Sequence, residues 1–263
     1  MTSQGLMGRR LHGMKTLALT ILVVLGVLAA TFGQTPKTAE DFNNRGLERQ
    51  GQADIDGAIA DYTQAISMKA RASTIATAYN NRANARKAKG DTEGAIVDYN
   101  KAIELKPRYA EAYYNRGVAL QGKNDFDGAI KDYSAAIDLA PKFTDAYLNR
   151  GQAKQSKHDL DGAIADYNAA LELKTDDADI YFARASARHE KKDLNGALAD
   201  YSKVIELDPS NAQALANRAV LEILEGKTSQ ADQDFDRAFK IDPSLKSRFK
   251  DFIENRRNRK PNQ

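Results

Sequence analysis

The chain of 263 residues has no cysteine, no tryptophan, three histidines and six prolines. Without cysteine there can be no disulfide, no thiol catalysis, no thiolate zinc site and no lipid on an N-terminal Cys. His12, His158 and His189 leave little for metal or acid–base chemistry. No Gly-rich phosphate loop, paired carboxylate site or Ser–His–Asp constellation stands out, so no metal, cofactor or catalytic residue is expected. What is present is alanine and charge. Charged residues make up 29% and aromatics only 8%, which suits many short helices better than one thick core. The formal charge of +3 sits on Arg9, Arg10 and Lys15, because the other 36 basic residues are matched by 36 acids. A body that binds nucleic acid is expected to be basic, so nucleic acid is not an expected partner.

Residues 16–32, TLALTILVVLGVLAATF, follow those three cations and are almost wholly apolar. A charged segment, an apolar run and then small or turn-forming residues describe a signal peptide over 1–33, cleaved near Gly33. Read from Met14 the segment is a compact signal by itself, which makes Met14 a candidate start. The alternative is an uncleaved anchor, although 17 apolar residues fall short of the roughly 20 that span a bilayer. Either way the body is expected outside the cytoplasm: in the periplasm, anchored to the inner membrane facing it, or secreted. Residues 34–38 read as a linker.

The phrase GAI-x-DY supplies a ruler. It occurs at 57, 94, 128, 162 and 196, with GALADY as the last form and QADQDF as a variant at 230. After a first step of 37 residues every step is 34, and such self-similarity at a fixed period signals a repeat architecture. Six repeats follow: 39–72, 76–109, 110–143, 144–177, 178–211 and 212–245, with Ser73, Thr74 and Ile75 inserted after the first. In the third, Tyr113, Arg116, Gly117 and Leu120 mark one helical face; GKND breaks it; Ala129, Tyr133, Ala136 and Ile137 mark the next. Asp125 is the expected N-cap of the second helix. Each hairpin is too thin to bury its own face, so stability must come from stacking.

This unit resembles the tetratricopeptide repeat family over residues 39–245. The resemblance rests on a large residue at the fourth place (Tyr79, Tyr113, Tyr147, Tyr181) and small ones at the eighth, twentieth and twenty-seventh (Gly117, Gly151, Ala129, Ala163, Ala136, Ala170). It rests also on an aromatic at the twenty-fourth (Tyr99, Tyr133, Tyr167, Tyr201) and proline at the thirty-second (Pro107, Pro141, Pro209, Pro243). Ala70 and Thr175 replace that proline in the first and fourth repeats. The resemblance implies an all-α fold: a right-handed α-solenoid of six tetratricopeptide-like helix-turn-helix repeats. Residues 246–263 form a basic C-terminal cap and tail, with Phe249, Phe252 and Ile253 on one helical face.

Two sets of positions stand out against the ruler. At the seventh place, where the family usually has Leu, stand Arg45, Arg82, Arg116, Arg150, Arg184 and Arg218; at the twenty-third stand Asp61, Asp98, Asp132, Asp166, Asp200 and Asp234. A guanidinium at a helix interface needs a carboxylate and suits one bidentately. The pairs are therefore expected to form a structural ladder, preferentially between one repeat's Asp and the next repeat's Arg, rather than an anion-binding groove.

The second set follows from the resemblance, which places partners in the concave groove of the first helices. The matching residues are Asn80, Asn84 and Lys87; Tyr114, Val118 and Gln121; Leu148, Gln152 and Gln155; and Phe182, Ser186 and His189. Tyr114, Leu148 and Phe182 are 34 residues apart and should align as one apolar strip with amides beside it. The Lys and Asn clamp of chaperone-binding members is missing, since Glu111, Asp145 and Asp179 hold the second place. The expected function is a non-enzymatic exported scaffold for a protein or peptide. The alternative is a self-assembling envelope repeat protein, tethered to the inner membrane by its uncleaved N-terminus. The C-terminal stretch from Ser244 has seven basic and two acidic residues, leaving weak contact with lipid or an acidic partner as a further expectation.

Overall fold

A computed structural model describes residues 36–250 and 252–254; the expected signal peptide, the candidate start Met14 and the tail beyond 254 lie outside them. Among the described residues twelve helices run as six antiparallel hairpins: α1 (Ala39–Gly51) with α2 (Ile55–Ser67), α3 (Ala72–Ala88) with α4 (Thr92–Leu105), and α5 (Ala110–Gly122) with α6 (Phe126–Leu139). There follow α7 (Thr144–Ser156) with α8 (Leu160–Leu173), α9 (Ala178–Glu190) with α10 (Leu194–Leu207), and α11 (Ala212–Leu224) with α12 (Thr228–Ile241). A short α13 (Ser244–Arg248) closes the stack. There is no strand among the described residues, and each hairpin packs on its neighbours, giving the right-handed α-solenoid.

The structure accounts for each letter of the ruler. In five of the six second helices an Asp N-cap (Asp54, Asp91, Asp125, Asp159, Asp193) accepts from the backbone N–H of the Gly three residues on, at 2.9–3.0 Å. The glycine leaves room for that cap, since a Cβ on Gly128 would stand 2.5 Å from Oδ2 of Asp125 and displace the capping carboxylate. The Ala after it is fully buried (Ala58, Ala95, Ala129, Ala163, Ala197), as is the Tyr (Tyr62, Tyr99, Tyr133, Tyr167, Tyr201). At the eighth place of α5 the first helix approaches so closely that a Cβ on Gly117 would fall 2.8 Å from the Tyr133 ring.

Each hairpin turns on a left-handed residue at the fifteenth place: Ala53, Gly90, Asn124, His158, Lys192 and Gly226, with φ from 61° to 90°. His158 therefore sits in a turn, exposed, with Nδ1 2.9 Å from Glu190. The three inserted residues and Ala72 before them lengthen α3 at its N-terminus, so it has 17 residues where the other first helices have 13. The cap begins two residues earlier than the repeat ruler places it. It is also shorter, a five-residue α13 and a helical turn at 252–254. Its Leu245, Phe249, Phe252 and Ile253 cover the last hairpin, with Phe249 5.6 Å from Phe235.

Candidate partner-binding groove

The six arginines are fixed first. Each reaches from its first helix to the Asp on the second helix of the same hairpin, with Nε on Oδ2 and Nη2 on Oδ1 at 2.5–3.0 Å. The expected pairing of an Asp with the next repeat's Arg is thus corrected: every pair lies inside its repeat. The reason is reach, because the seventh and twenty-third places face each other across one antiparallel hairpin. Every Asp of the set is at most 4% exposed, and the bidentate pairing supplies the hydrogen-bond partners that a buried carboxyl group needs. The hydrogen bonds that Arg116 donates to Asp132 are the largest influence on it and raise its guanidinium above its ordinary range.

The link between repeats is made by the remaining nitrogen. Nη1 of Arg82, Arg116, Arg150, Arg184 and Arg218 donates at 2.6–3.2 Å to Thr63, Asn100, Ser134, Asn168 and Ser202, on the second helix of the preceding repeat. These hydroxyl and amide residues were not singled out by the sequence reading; their signal was a hydrogen-bonding side chain directly after each ruler Tyr. The fourth-place ring lies against the guanidinium from Arg45 to Arg184, 5.2–5.6 Å from its carbon. Arg82, Arg116, Arg150 and Arg184 have both edges and a face engaged, Arg45 lacks only the inter-repeat bond and Arg218 only the ring, so the arginines are not free to line an anion site.

The twelve groove residues divide into three kinds. Asn80 is fully buried and accepts from Asn115 at 3.2 Å, so it bonds one repeat to the next and does not face a partner. Asn84, Gln121 and Gln155 each accept from the hydroxyl of the ruler Tyr beneath them: Tyr99 at 2.5 Å, Tyr133 at 2.8 Å and Tyr167 at 3.1 Å. Burial pushes those hydroxyls up, as it does Tyr62 to about 12, so they remain proton donors. Each amide is thus held through its oxygen, and Gln155 Nε2 in addition lies 3.4 Å from Ser186 Oγ and 3.2 Å from Glu190 Oε2.

The third kind presents surface. Tyr114, Val118, Leu148, Phe182, Ser186, Lys87 and His189 are half-buried and Gln152 is exposed. Tyr114 stacks obliquely on Phe143 at 4.7 Å and its hydroxyl accepts from Asn149 at 2.9 Å, while Phe182 stands edge-on to Tyr201 at 5.6 Å. Burial lowers Lys87, and burial and then Lys192 lower His189. Leu148, Gln152, Gln155, Phe182 and Ser186 come together with Tyr167, Asp179 and Ala183 around a surface cleft of about 410 Å³ between α7 and α9. Five of the twelve residues thus share one concavity with apolar walls and amides along it, the usual composition of a small binding site. Asn80 and Asn84 lie on α3, far along the stack from this cleft.

Comparison with known proteins follows the same lines. Residues 83–124, 156–192 and 185–222 match the TPR repeat family, and residues 110–143 match the tetratricopeptide repeat family. No curated protein sequence matches the chain. Among solved structures it is similar to YrrB, described as a TPR protein with an unusual peptide-binding site. The identity is 26%, with 69% of this chain and 92% of that one covered and a TM-score of 0.61. It is also similar to pilF of Pseudomonas aeruginosa (17% identity, 78% and 92% covered, TM-score 0.67) and to MamA of Desulfovibrio magneticus RS-1 (18%, 64% and 96%, 0.61). At those two identities the likeness is one of fold. Tetratricopeptide repeats are therefore found in this chain, and it folds as a tetratricopeptide-type solenoid.

Proposed function

We propose that this protein is a non-enzymatic exported scaffold that binds a protein or peptide in the groove formed by its first helices. The observation that carries the reading is the cleft between α7 and α9, where Leu148 and Phe182 flank the exposed Gln152 and the amide of Gln155, which Tyr167 and Glu190 already hold. A preset amide lowers the ordering cost of receiving an extended backbone, and aromatic or aliphatic anchors supply the apolar contact. Peptide binding by YrrB supports this reading by analogy of fold. Export is supported by the apolar run at 16–32 behind three cations.

Photocrosslinking in cells from residue 152, with the captured protein identified by mass spectrometry, tests the reading. A crosslink that is lost in Leu148→Ser/Phe182→Ser, while the variant melts normally, is the expected result. No crosslink from residue 152, or one unaffected by that change, overturns the groove as the binding face.

A further inference from the structure

The charges beside the cleft narrow the chemistry of what fills it. Asp179 lines the cleft, and Asp145 and Glu111 hold the same place, the second, in the two preceding first helices. All three are exposed, and among the described residues none has an ion pair or a hydrogen bond to its carboxylate. They share the groove face: Glu111, Asp145 and Asp179 stand three residues before Tyr114, Leu148 and Phe182 on the same helices, and after burial Asp145 is the main influence raising the Tyr114 hydroxyl. An acid in the first turn is favoured by the helix dipole, which accounts for the residue type. It does not account for the missing cation, since the acids on the turn side of the stack are paired: Asp56 with Lys89 at 2.5 Å, Glu93 with Lys123, Asp127 with Lys157 and Asp161 with Lys191. Arg108 and Lys142 stand three residues before Glu111 and Asp145, but Asp176 stands before Asp179, and Lys174, which Asp176 and Asp145 influence more weakly, is paired with Asp177 at 2.7 Å. The negative edge is therefore strongest at the cleft.

We propose that the cleft takes an extended peptide in which a large apolar side chain neighbours lysine or arginine. The apolar group lies between Leu148 and Phe182, and the cation lies on Asp179 and Asp145. This rests on the groove reading above and adds the charge of the occupant. Opposite charge at the rim of an apolar contact selects the partner and speeds its approach more than it adds raw affinity.

The test is fluorescence anisotropy of the full chain with two labelled octapeptides, GSKFKLGS and GSEFELGS. The lysine peptide is expected to bind, at least about ten-fold more tightly than the glutamate peptide, with an affinity that falls as salt rises. Asp145→Asn/Asp179→Asn is expected to weaken it about three- to ten-fold at an unchanged melting temperature, while Asp138→Asn on the far helix leaves it unchanged. Equal affinity for the two peptides, no effect of the double neutralisation, or no binding of the lysine peptide overturns the proposal. The crosslink from residue 152 judges the groove itself independently of these outcomes.

Discussion

Six arginines in a packing face owe their place to a well-used guanidinium: each has two bonds to an Asp in the same hairpin, all but Arg45 have a third to the preceding one, and all but Arg218 have a ring against the plane. The pairing of residue types was legible in the sequence because both recur in every repeat. The partner's location was not, since a period of 34 gives the same spacing within and between repeats. In four repeats a second cation at the eleventh place also reaches the Asp: Arg49 at 3.1 Å, Arg86 at 2.9 Å, Lys154 at 2.8 Å and Arg188 at 2.8 Å. The sixth repeat has Glu222 there, beside Asp234. Its Oε2 is the one buried side-chain oxygen without a hydrogen-bond partner among the described residues. Burial first, then Asp234, raises the Glu222 carboxyl above its ordinary 4.5. With the folded value above the unfolded one, the cost of the buried charge is full above the folded pKa. It is relieved as pH falls through that value. Glu222→Arg is expected to stabilise by about 1–3 kcal/mol at pH 7 by giving Asp234 a second donor. The gain from Glu222→Gln should shrink when unfolding is repeated near pH 4. A loss of stability in both variants at pH 7 contradicts this reading of the site.

At the scale of the helix, the sequence defined the hairpins well because capping and turn chemistry repeat with the ruler. Asp125 was recognisable as a cap from its place before a periodic apolar run, and it accepts from Gly128 as that role requires. What the ruler could not show is how the chain absorbs an insertion. Ser73, Thr74 and Ile75 continue α3 backwards, since all three can propagate a helix and Arg71 before them is extended. The left-handed turn residue was missed for a related reason: only two of the six are glycine, and the rest carry no common side chain. Lys192 holds φ at 70° with a Cβ in place. Such a conformation costs a non-glycine residue roughly 1–2 kcal/mol, against which glycine loses some unfolded-state entropy. Lys192→Gly should therefore raise stability by about 0.5–1 kcal/mol in urea, and an equal loss would show that the side chain is needed at the turn.

Across the whole molecule, the solenoid is built twice over, by apolar stacking and by polar bonds that cross repeats. Asn81 donates to Asn43 at 3.0 Å, Asn115 to Asn80 at 3.2 Å and Asn149 to Tyr114 at 2.9 Å, beside the arginine bonds already described. These account for Asn80, which the groove pattern alone had assigned to a partner. The last hairpin departs from the scheme. Its second helix begins at Thr228 behind Lys227, which makes no side-chain cap, and it has Leu215 where the ring over the arginine stands elsewhere. Terminal repeats commonly diverge because they face solvent on one side. Hydrogen exchange should find α12 opening before α6, with lower protection in its first turn; equal protection along the stack would contradict this order.

The claim that underlies both the fold and the functional assignment is that the repeated arginines hold the stack, leaving the neighbouring strip for a partner. Urea unfolding of Asp132→Ala beside Lys131→Ala tests it most directly. Asp132 is 2% exposed and bonded twice by Arg116, whereas Lys131 is exposed on the same helix. The account predicts a loss of about 3–5 kcal/mol for Asp132→Ala, in one cooperative transition, and less than about 0.5 kcal/mol for Lys131→Ala. Equal midpoints for the two variants would contradict it.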